Sequence, residues 1–439
     1  MLDSRPNPPA DLLVRGARVL DPRADIDAVL DVLVRDGEIA EVGPALEAPD
    51  GVEVIDGEGR HLLPGFVDPH VHLRTPGQEH KETLESGTRA AAAGGYVAVV
   101  AMPNTDPTVD SASILVSVRE QARREAHVPV GFLAAVTRGL CGESLTEMAE
   151  LRDAGALGFT DDGKPVHRAG ILRKALQYQR LAGGVLCLHE EDPTLSGRGV
   201  MHEGEVSARL GLAGIPSVSE STLIARDAAL AGYEDGRIHI QHLSARESVE
   251  AVAAAKARGV RITAEASPHH LTLTDRALLD QDLDTRLKMN PPLRAEEDRQ
   301  ALIAGLRDGT IDCIATDHAP HAREEKEVPF EEATMGTTGL ETAFAAVYTE
   351  LVLPGVLPLS VVVDRLSSGA ALLGLPVPAI ERGRAADFCL VDLEAEWEAG
   401  EHGYESAAEN CCFDGRTLRG RVVATVAAGA IAYRERVAA

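Results

Sequence analysis

Aromatic residues are scarce in this sequence: Phe, Tyr and Trp together make up 3% of 439 residues. Its core must be built from aliphatic side chains, and the abundance of Ala, Gly, Val and Leu is that of a helix-rich α/β chain. Cysteine is sparse too. Cys141, Cys187, Cys313, Cys389, Cys411 and Cys412 include no C-x-x-C spacing, so no disulfide framework is indicated and a reducing cytoplasm is expected. Cys187 and Cys313 lie inside apolar runs and read as buried thiols. Positive charge is in short supply, with 43 Lys and Arg against 69 Asp and Glu and a net charge of −26. That balance argues against nucleic acid as a partner. It leaves room for an anionic substrate, because a local cationic pocket outweighs a distant, screened surface charge. No uninterrupted apolar run approaches the ~18 residues that span a bilayer. Met1 to Pro9 is polar and proline-rich, without the apolar segment of a secretion signal. A cytoplasmic protein with no membrane partner is expected.

What is present points to a large α/β molecule. Asp11–Asp21, Val29–Val42 and Val52–Asp56 read as strands separated by turns such as Asp36-Gly37 and Asp56-Gly57, together an antiparallel unit. Ala386–Leu393 and Arg421–Tyr433 have the same character, so the two ends are expected to build one small sheet domain. The middle alternates strands with helices. Helices are expected at Thr83–Ala93, Ser111–Glu125, Ser144–Ala154, Ala169–Ala182, Ser219–Ala231, Ala245–Arg258, Arg299–Arg307, Gly339–Leu351 and Leu359–Leu366. Such alternation implies parallel strands with right-handed crossovers. About eight strands over some 300 residues favour a (β/α)8 barrel over a doubly wound sheet.

The chemistry gathers where these strands run out. In GFVDPHVHLR, His70 and His72 are two positions apart on one strand and so share a face, as two ligands of one metal ion would. Later strands end in Asn104, then Asp161 and Asp162, then His189, His242, and finally Asp317, His318 and His321. Any one of these could be a helix cap or a satisfied core histidine. Their coincidence on one barrel edge points to a metal site, and their number exceeds the four ligands of one zinc, which suggests two ions sharing a carboxylate. Arg74 shares the strand face of His72 and is either an ion-pair partner or a fork for a substrate carboxylate.

These residues sit in GRHLLPGFVDPHVHLRTPG, MPNTDP, FTDDG, LHEED, HIQHLS, SPHHLTLTD, KMNPPLR, ATDHAPH, GTTGLETAF, GRAADFCLVD and FDGRTLRGRVVATVAAG. Over nearly its whole length the chain therefore resembles class I dihydroorotases of the amidohydrolase superfamily. The resemblance implies a TIM-type barrel at residues 64–376 beside a small β-sandwich formed by residues 1–63 and 377–439. It implies zinc, two ions per subunit, with His70, His72 and Asp317 on one, His189 and His242 on the other, and Asp162 and a hydroxide bridging them. Lys164, just beyond the bridge position, reads as a solvated loop residue. Arg74, Asn104 and His321 would meet the substrate carboxylate, and Asn290, Met335 and Gly336 the ring, with His72 beside them. His202, His269 and His270 read as supporting groups. The run Glu324–Glu327 is either a solvated charge run or part of a loop that closes over substrate. The implied activity is the reversible cyclisation of carbamoyl aspartate to dihydroorotate, with Asp317 as the proton-transferring catalytic residue. A homo-oligomer is expected, and association with aspartate transcarbamoylase is left open. The competing readings are another cyclic amidase, hydantoinase- or allantoinase-like, and a non-catalytic subunit that scaffolds aspartate transcarbamoylase.

Overall fold

The two ends of the chain meet in one sheet. The computed structural model describes residues 1–435. Strands β1 (Leu12–Asp21), β2 (Ile26–Arg35), β3 (Glu38–Gly43), β4 (Glu53–Asp56) and β5 (His61–Pro64) come first. β6 (Phe66–Val71), β7 (Tyr96–Ala101), β8 (Val130–Ala134), β9 (Gly158–Thr160) and β10 (Leu186–Leu188) follow. A short pair, β11 (Met201–His202) and β12 (Gly214–Ile215), precedes β13 (Arg237–Ile240), β14 (Arg261–Ala266) and β15 (Cys313–Ile314). The chain closes with β16 (Phe388–Glu398), β17 (Thr417–Ala427) and β18 (Ala430–Arg434).

The terminal sheet runs β18-β17-β16-β5-β1-β2-β3, with β4 beside β1. Antiparallel pairing of β5 with β16, Leu63 opposite Cys389, joins the two ends. The N-terminal strands differ from the expected antiparallel unit, because β1 pairs parallel with both β4 and β5. The β2–β3 hairpin leaves the chain at the end where β1 finishes, and residues 44–52 carry it back across the sheet, so that β4 enters alongside β1 in the parallel sense. Leu12, Val14, Val19, Val32, Val34, Leu62, Phe388 and Leu390 fill the interior of this unit.

The middle is the expected barrel. Its strands run β6-β7-β8-β9-β10-β13-β14-β15 in one parallel sheet. The seam closes where Val71 bridges His318 and the His72 amide donates to the His318 carbonyl at 2.8 Å. Below that point the buried Asp68 carboxylate on β6 accepts from the amide and hydroxyl of Thr316. The first crossover helix, Leu84–Ala93, begins at a capping box in which the Thr83 hydroxyl accepts from the Ser86 amide. It ends at Gly94, where a Cβ would collide with the Leu340 carbonyl. Two helices are shorter than the sequence suggests. Met148–Asp153 starts late because the Asp161 carboxylate takes the amides of Val136 and Thr137, and the chain then makes a short turn at Arg138–Leu140 and folds back so that the Thr146 amide donates to the Val136 carbonyl; Gly339–Thr342 packs as turn before helix begins at Ala343. One group of aromatics packs together: Phe66 stacks on Phe344 at 5.5 Å and meets the edge of Tyr96 at 5.7 Å.

Candidate metal centre

The parallel strands deliver their last polar side chains to one barrel edge, and four of the histidines converge there. His70 is the last but one residue of β6, and its ring lies 5.4 Å from that of His72 and 5.2 Å from that of His242, centroid to centroid. Asp162 sits between the two halves. Its Oδ1 is 3.5 Å from His70 Nε2, 3.7 Å from His189 Nδ1 and 3.6 Å from His242 Nε2, while Oδ2 is 3.4 Å from His72 Nε2. Asp317 Oδ1 approaches His70 Nε2 at 3.4 Å and His72 Nε2 at 3.2 Å. The ligand-type atoms thus form two clusters, His70-His72-Asp162 and Asp162-His189-His242, that share one carboxylate.

These nitrogen–carboxylate separations fit a cation better than a hydrogen-bond network; His189 Nδ1 and His242 Nε2, at 2.9 Å, are the exception. Donor atoms ~2.0–2.2 Å from a tetrahedral ion lie about 3.3–3.6 Å from one another. A good N–H···O bond is shorter. Orientation gives the same answer. His70 Nδ1 donates to Glu265 Oε1 at 2.6 Å, which aims the lone pair of Nε2 at two carboxylates. That atom is fully buried and, among the described residues, has no hydrogen-bond partner. His72 Nδ1 is fixed likewise by Asn104 Oδ1 at 3.0 Å, so its Nε2 also faces inward. Burial opposes charge on His70, yet Asp162, Glu265 and Asp317 raise its proton affinity well above the ordinary value. His189 is pushed to about 9 against burial by Asp162 and Glu191. Asp162 and Asp317, although buried, are held below the usual carboxylate range by the histidines around them. The pocket is built to hold positive charge. Arg74, His242 and Asp317 keep left-handed backbones (φ 56°, 32° and 50°), strain of roughly 1–3 kcal/mol each that the surrounding fold sustains to aim these side chains.

A cavity of about 320 Å³ opens onto the clusters. His72, Asn104, Asp162, His189, His242 and Asp317 form its floor, and Arg74, Asn290, His321, Met335 and Gly336 its walls. His70 lies beneath, sealed from it. Arg74 is only 8% exposed; its Nε donates to the Pro320 carbonyl at 3.0 Å and Nη2 lies 3.5 Å from His321 Nε2. Among the described residues no carboxylate touches it; burial lowers its proton affinity, and Asp317, Glu325, Asp162 and Glu82 oppose that only from a distance, so a buried guanidinium lines the cavity without a contact ion pair. His321 is held between Glu325 Oε2 (3.2 Å) and the Met335 carbonyl (2.9 Å). Asn290 donates to Glu191 Oε2 at 2.7 Å. Asn104 faces the clusters as well as the cavity, donating to Asp162 Oδ2 at 3.2 Å.

Outside the cavity, Lys164 is exposed and Asp161 is a structural acceptor for the amides of Val136 and Thr137. Ser267 Oγ lies within hydrogen-bond distance of His269 and His270, and the second ring of this pair reaches the Pro291 carbonyl beside Asn290. The Glu324–Glu327 run divides: Glu324 and Glu327 are exposed, whereas Lys326 is buried with its Nζ on the carbonyls of Thr285, Lys288 and Thr334. Sequence reasoning missed Glu265, which joins His70 to His239 Nε2 (2.9 Å), and Glu82, which holds His318 Nε2 at 3.2 Å. The available signal was a lone acid inside an apolar strand, RITAEA, where an unpaired carboxylate is costly.

Comparison with known proteins bears on this geometry. Residues 59–248 match the family model described as Dihydro-orotase-like. A dihydroorotase of Anaeromyxobacter dehalogenans is 46% identical over 428 residues, 97% of this chain and 98% of that one. A dihydroorotase of Pelotomaculum thermopropionicum is 46% identical over 427 residues, 97% of this chain and 99% of its own. Among solved structures, an L-hydantoinase (dihydropyrimidinase) from Arthrobacter aurescens superposes with a TM-score of 0.86 at 25% identity, covering 98% of both chains.

Proposed function

The chain belongs to the dihydroorotase family and is a cyclic-amide hydrolase, and on that premise we propose how its residues interconvert dihydroorotate and N-carbamoyl-L-aspartate. His70, His72 and Asp317 would hold one zinc ion, His189 and His242 a second, with Asp162 shared between them; the 3.2–3.7 Å spacing between the histidine nitrogens and the two carboxylates supports this reading, with His189 Nδ1 and His242 Nε2 closer together at 2.9 Å. When bound, such a pair polarises a carbonyl and makes a water acidic enough to attack at neutral pH.

The observation that carries the substrate reading is the buried Arg74, which lines the same cavity as the clusters with no carboxylate in contact. Its two Nη atoms, the second 3.5 Å from His321 Nε2, match the two oxygens of a carboxylate. A ring carboxylate anchored there turns the neighbouring amide carbonyl toward Asp162 and Asp317. Asn290 and the Met335-Gly336 backbone would meet the ring's polar edge, and Asn104 would hold His72 and Asp162 in register while touching the carboxylate. In ring opening, water oxygen bonds to the amide carbon and the ring C–N bond breaks. Asp317 takes a proton from the water and returns it to the departing nitrogen, as general base and then general acid. In the reverse direction the ureido nitrogen closes on the carboxyl carbon and water leaves.

We place this reaction at the third step of pyrimidine synthesis, in the cytoplasm, and take the enzyme to be a homo-oligomer, with association with aspartate transcarbamoylase as a separate question. We also propose residues 1–63 and 377–439 as one unit supporting the barrel of residues 64–376; the β5–β16 pairing supports it. A dihydroorotate ring-opening assay with and without chelator tests the reading. Chelator-sensitive turnover is expected, and turnover of hydantoin but not dihydroorotate would overturn it.

A further inference from the structure

The loop between β16 and β17 comes from the far end of the chain, yet it is tied to the barrel edge that carries the candidate centre. Amides of Glu405 and Ser406 donate to the Glu341 carboxylate, and the Ala407 amide donates to Glu82 at 3.1 Å. Further along, the Thr338 amide donates to the Asn410 carbonyl and the Cys412 amide to Thr337 Oγ1. At the centre of this strap the Asn410 side chain is 4% exposed and spends its whole amide on three backbone atoms. Its Oδ1 accepts from the His321 amide at 3.0 Å, and its Nδ2 donates to the carbonyls of Ala319 and Gly336, both at 3.1 Å.

All three partners belong to the cavity wall that carries His321, Met335 and Gly336. Ala319 and His321 leave β15 on one side, and Gly336 returns on the other. Gly336 approaches so closely that a Cβ there would lie 2.9 Å from His321 Nε2. The wall's two limbs meet directly through the Ala319 amide on the Thr337 carbonyl and His321 Nε2 on the Met335 carbonyl, both at 2.9 Å, and one side-chain amide clamps them further, its donors and acceptor arranged to satisfy all three backbone groups. No carboxylate or aliphatic side chain of similar size can do so.

We propose that Asn410 is a positioning residue for the substrate-carboxylate wall: it fixes His321 against Gly336, and through them the space in front of Arg74. This inference rests on the proposed function for the identity of the ligand but not for the geometry. Asn410 touches none of the candidate metal ligands, so its loss should weaken substrate binding rather than the metal centre or the chemical step.

The test compares Asn410→Ala, Asn410→Asp and, as an exposed neighbour, Glu409→Ala, each in the full-length metal-loaded enzyme. Asn410→Ala should raise KM for dihydroorotate about tenfold or more, the loss of one to two buried hydrogen bonds, with kcat within about threefold. Metal content should stay at the wild-type value, and affinity for dihydrouracil, the same ring without the carboxylate, should change less than about threefold. Asn410→Asp should be worse for KM, because a carboxylate oxygen then faces two carbonyls. Amide hydrogen exchange supplies a readout independent of turnover. The His321 amide should exchange faster in Asn410→Ala but stay protected in Asn410→Asp, which keeps the acceptor. Glu409→Ala should match wild type throughout. An unchanged KM in Asn410→Ala, equal loss of affinity for both ligands, or unaltered exchange at His321 would each overturn the proposal. If wild-type enzyme failed to turn over dihydroorotate, the proposed function would fall, while exchange at His321 would still decide the role of Asn410.

Discussion

Replacing Arg74 with Met removes a buried cation that lines the cavity with no carboxylate in contact among the described residues, while keeping most of the side chain's length. Its Nε is engaged by the Pro320 carbonyl, which leaves the two Nη groups for a substrate carboxylate. Hydrogen bonds to a charged partner contribute roughly 1.5–3 kcal/mol each, so losing two costs about 3–6 kcal/mol. At 1.4 kcal/mol per decade that is about two to four decades in kcat/KM for dihydroorotate, carried mainly by KM. Arg74→Lys should recover only part of it, since a point charge cannot reproduce the fork. The assay is steady-state ring opening of dihydroorotate by wild type and both variants, with dihydrouracil as a competitive inhibitor. Loss confined to the carboxylate-bearing ring is expected. Equal loss of affinity for dihydrouracil, or an unchanged KM, would show that another group holds the substrate and that Arg74 only props the wall.

Asp317→Asn should lower turnover by about 10²–10⁴, the range of a lost general base, without unfolding the barrel; near wild-type turnover would remove its assigned role. Glu265→Gln should weaken metal retention by roughly 10–100-fold in a chelator competition, because the carboxylate that fixes the His70 ring is lost; unchanged retention would make Glu265 a mere core acceptor. His202 supplies a pH prediction away from the centre. Burial and the Arg294 guanidinium, whose Nη1 donates to its Nδ1 at 3.2 Å, push it down to about 4. Between pH ~6.5 and about 4 the unfolded chain therefore binds a proton that the folded chain does not, and stability is lost on acidification by up to about 3 kcal/mol. Urea melts at pH 4.5 and 7 should show a smaller drop for His202→Gln than for wild type, and an equal drop would refute it.

The barrel was legible because its strands are short apolar runs cut off by polar residues, and because parallel topology places all those cuts on one edge. His70 and His72 announced themselves by their spacing on one strand, and their partners by following apolar runs. What joins those groups was not legible. Glu265 and His239 sit mid-strand, where only the register of β13 against β14 brings them beneath His70. Glu82 and Asn410 lie in loops, with partners some 90 to 320 positions away. The mixed pairing of β1 with β4 and β5 is invisible to alternation, which reports burial and not strand direction. Lys326 looked like one charge in a run, and only its three carbonyl partners distinguish it from the exposed Glu324 and Glu327.

Anomalous scattering at the zinc edge, from crystals of the active enzyme, would test the two-cation centre most directly. Two peaks are predicted, one on either side of the Asp162 carboxylate, the first within bonding distance of His70 and His72 and the second of His189 and His242. Fully active crystals with no peak at Asp162, or with a single ion bound away from it, would contradict the account.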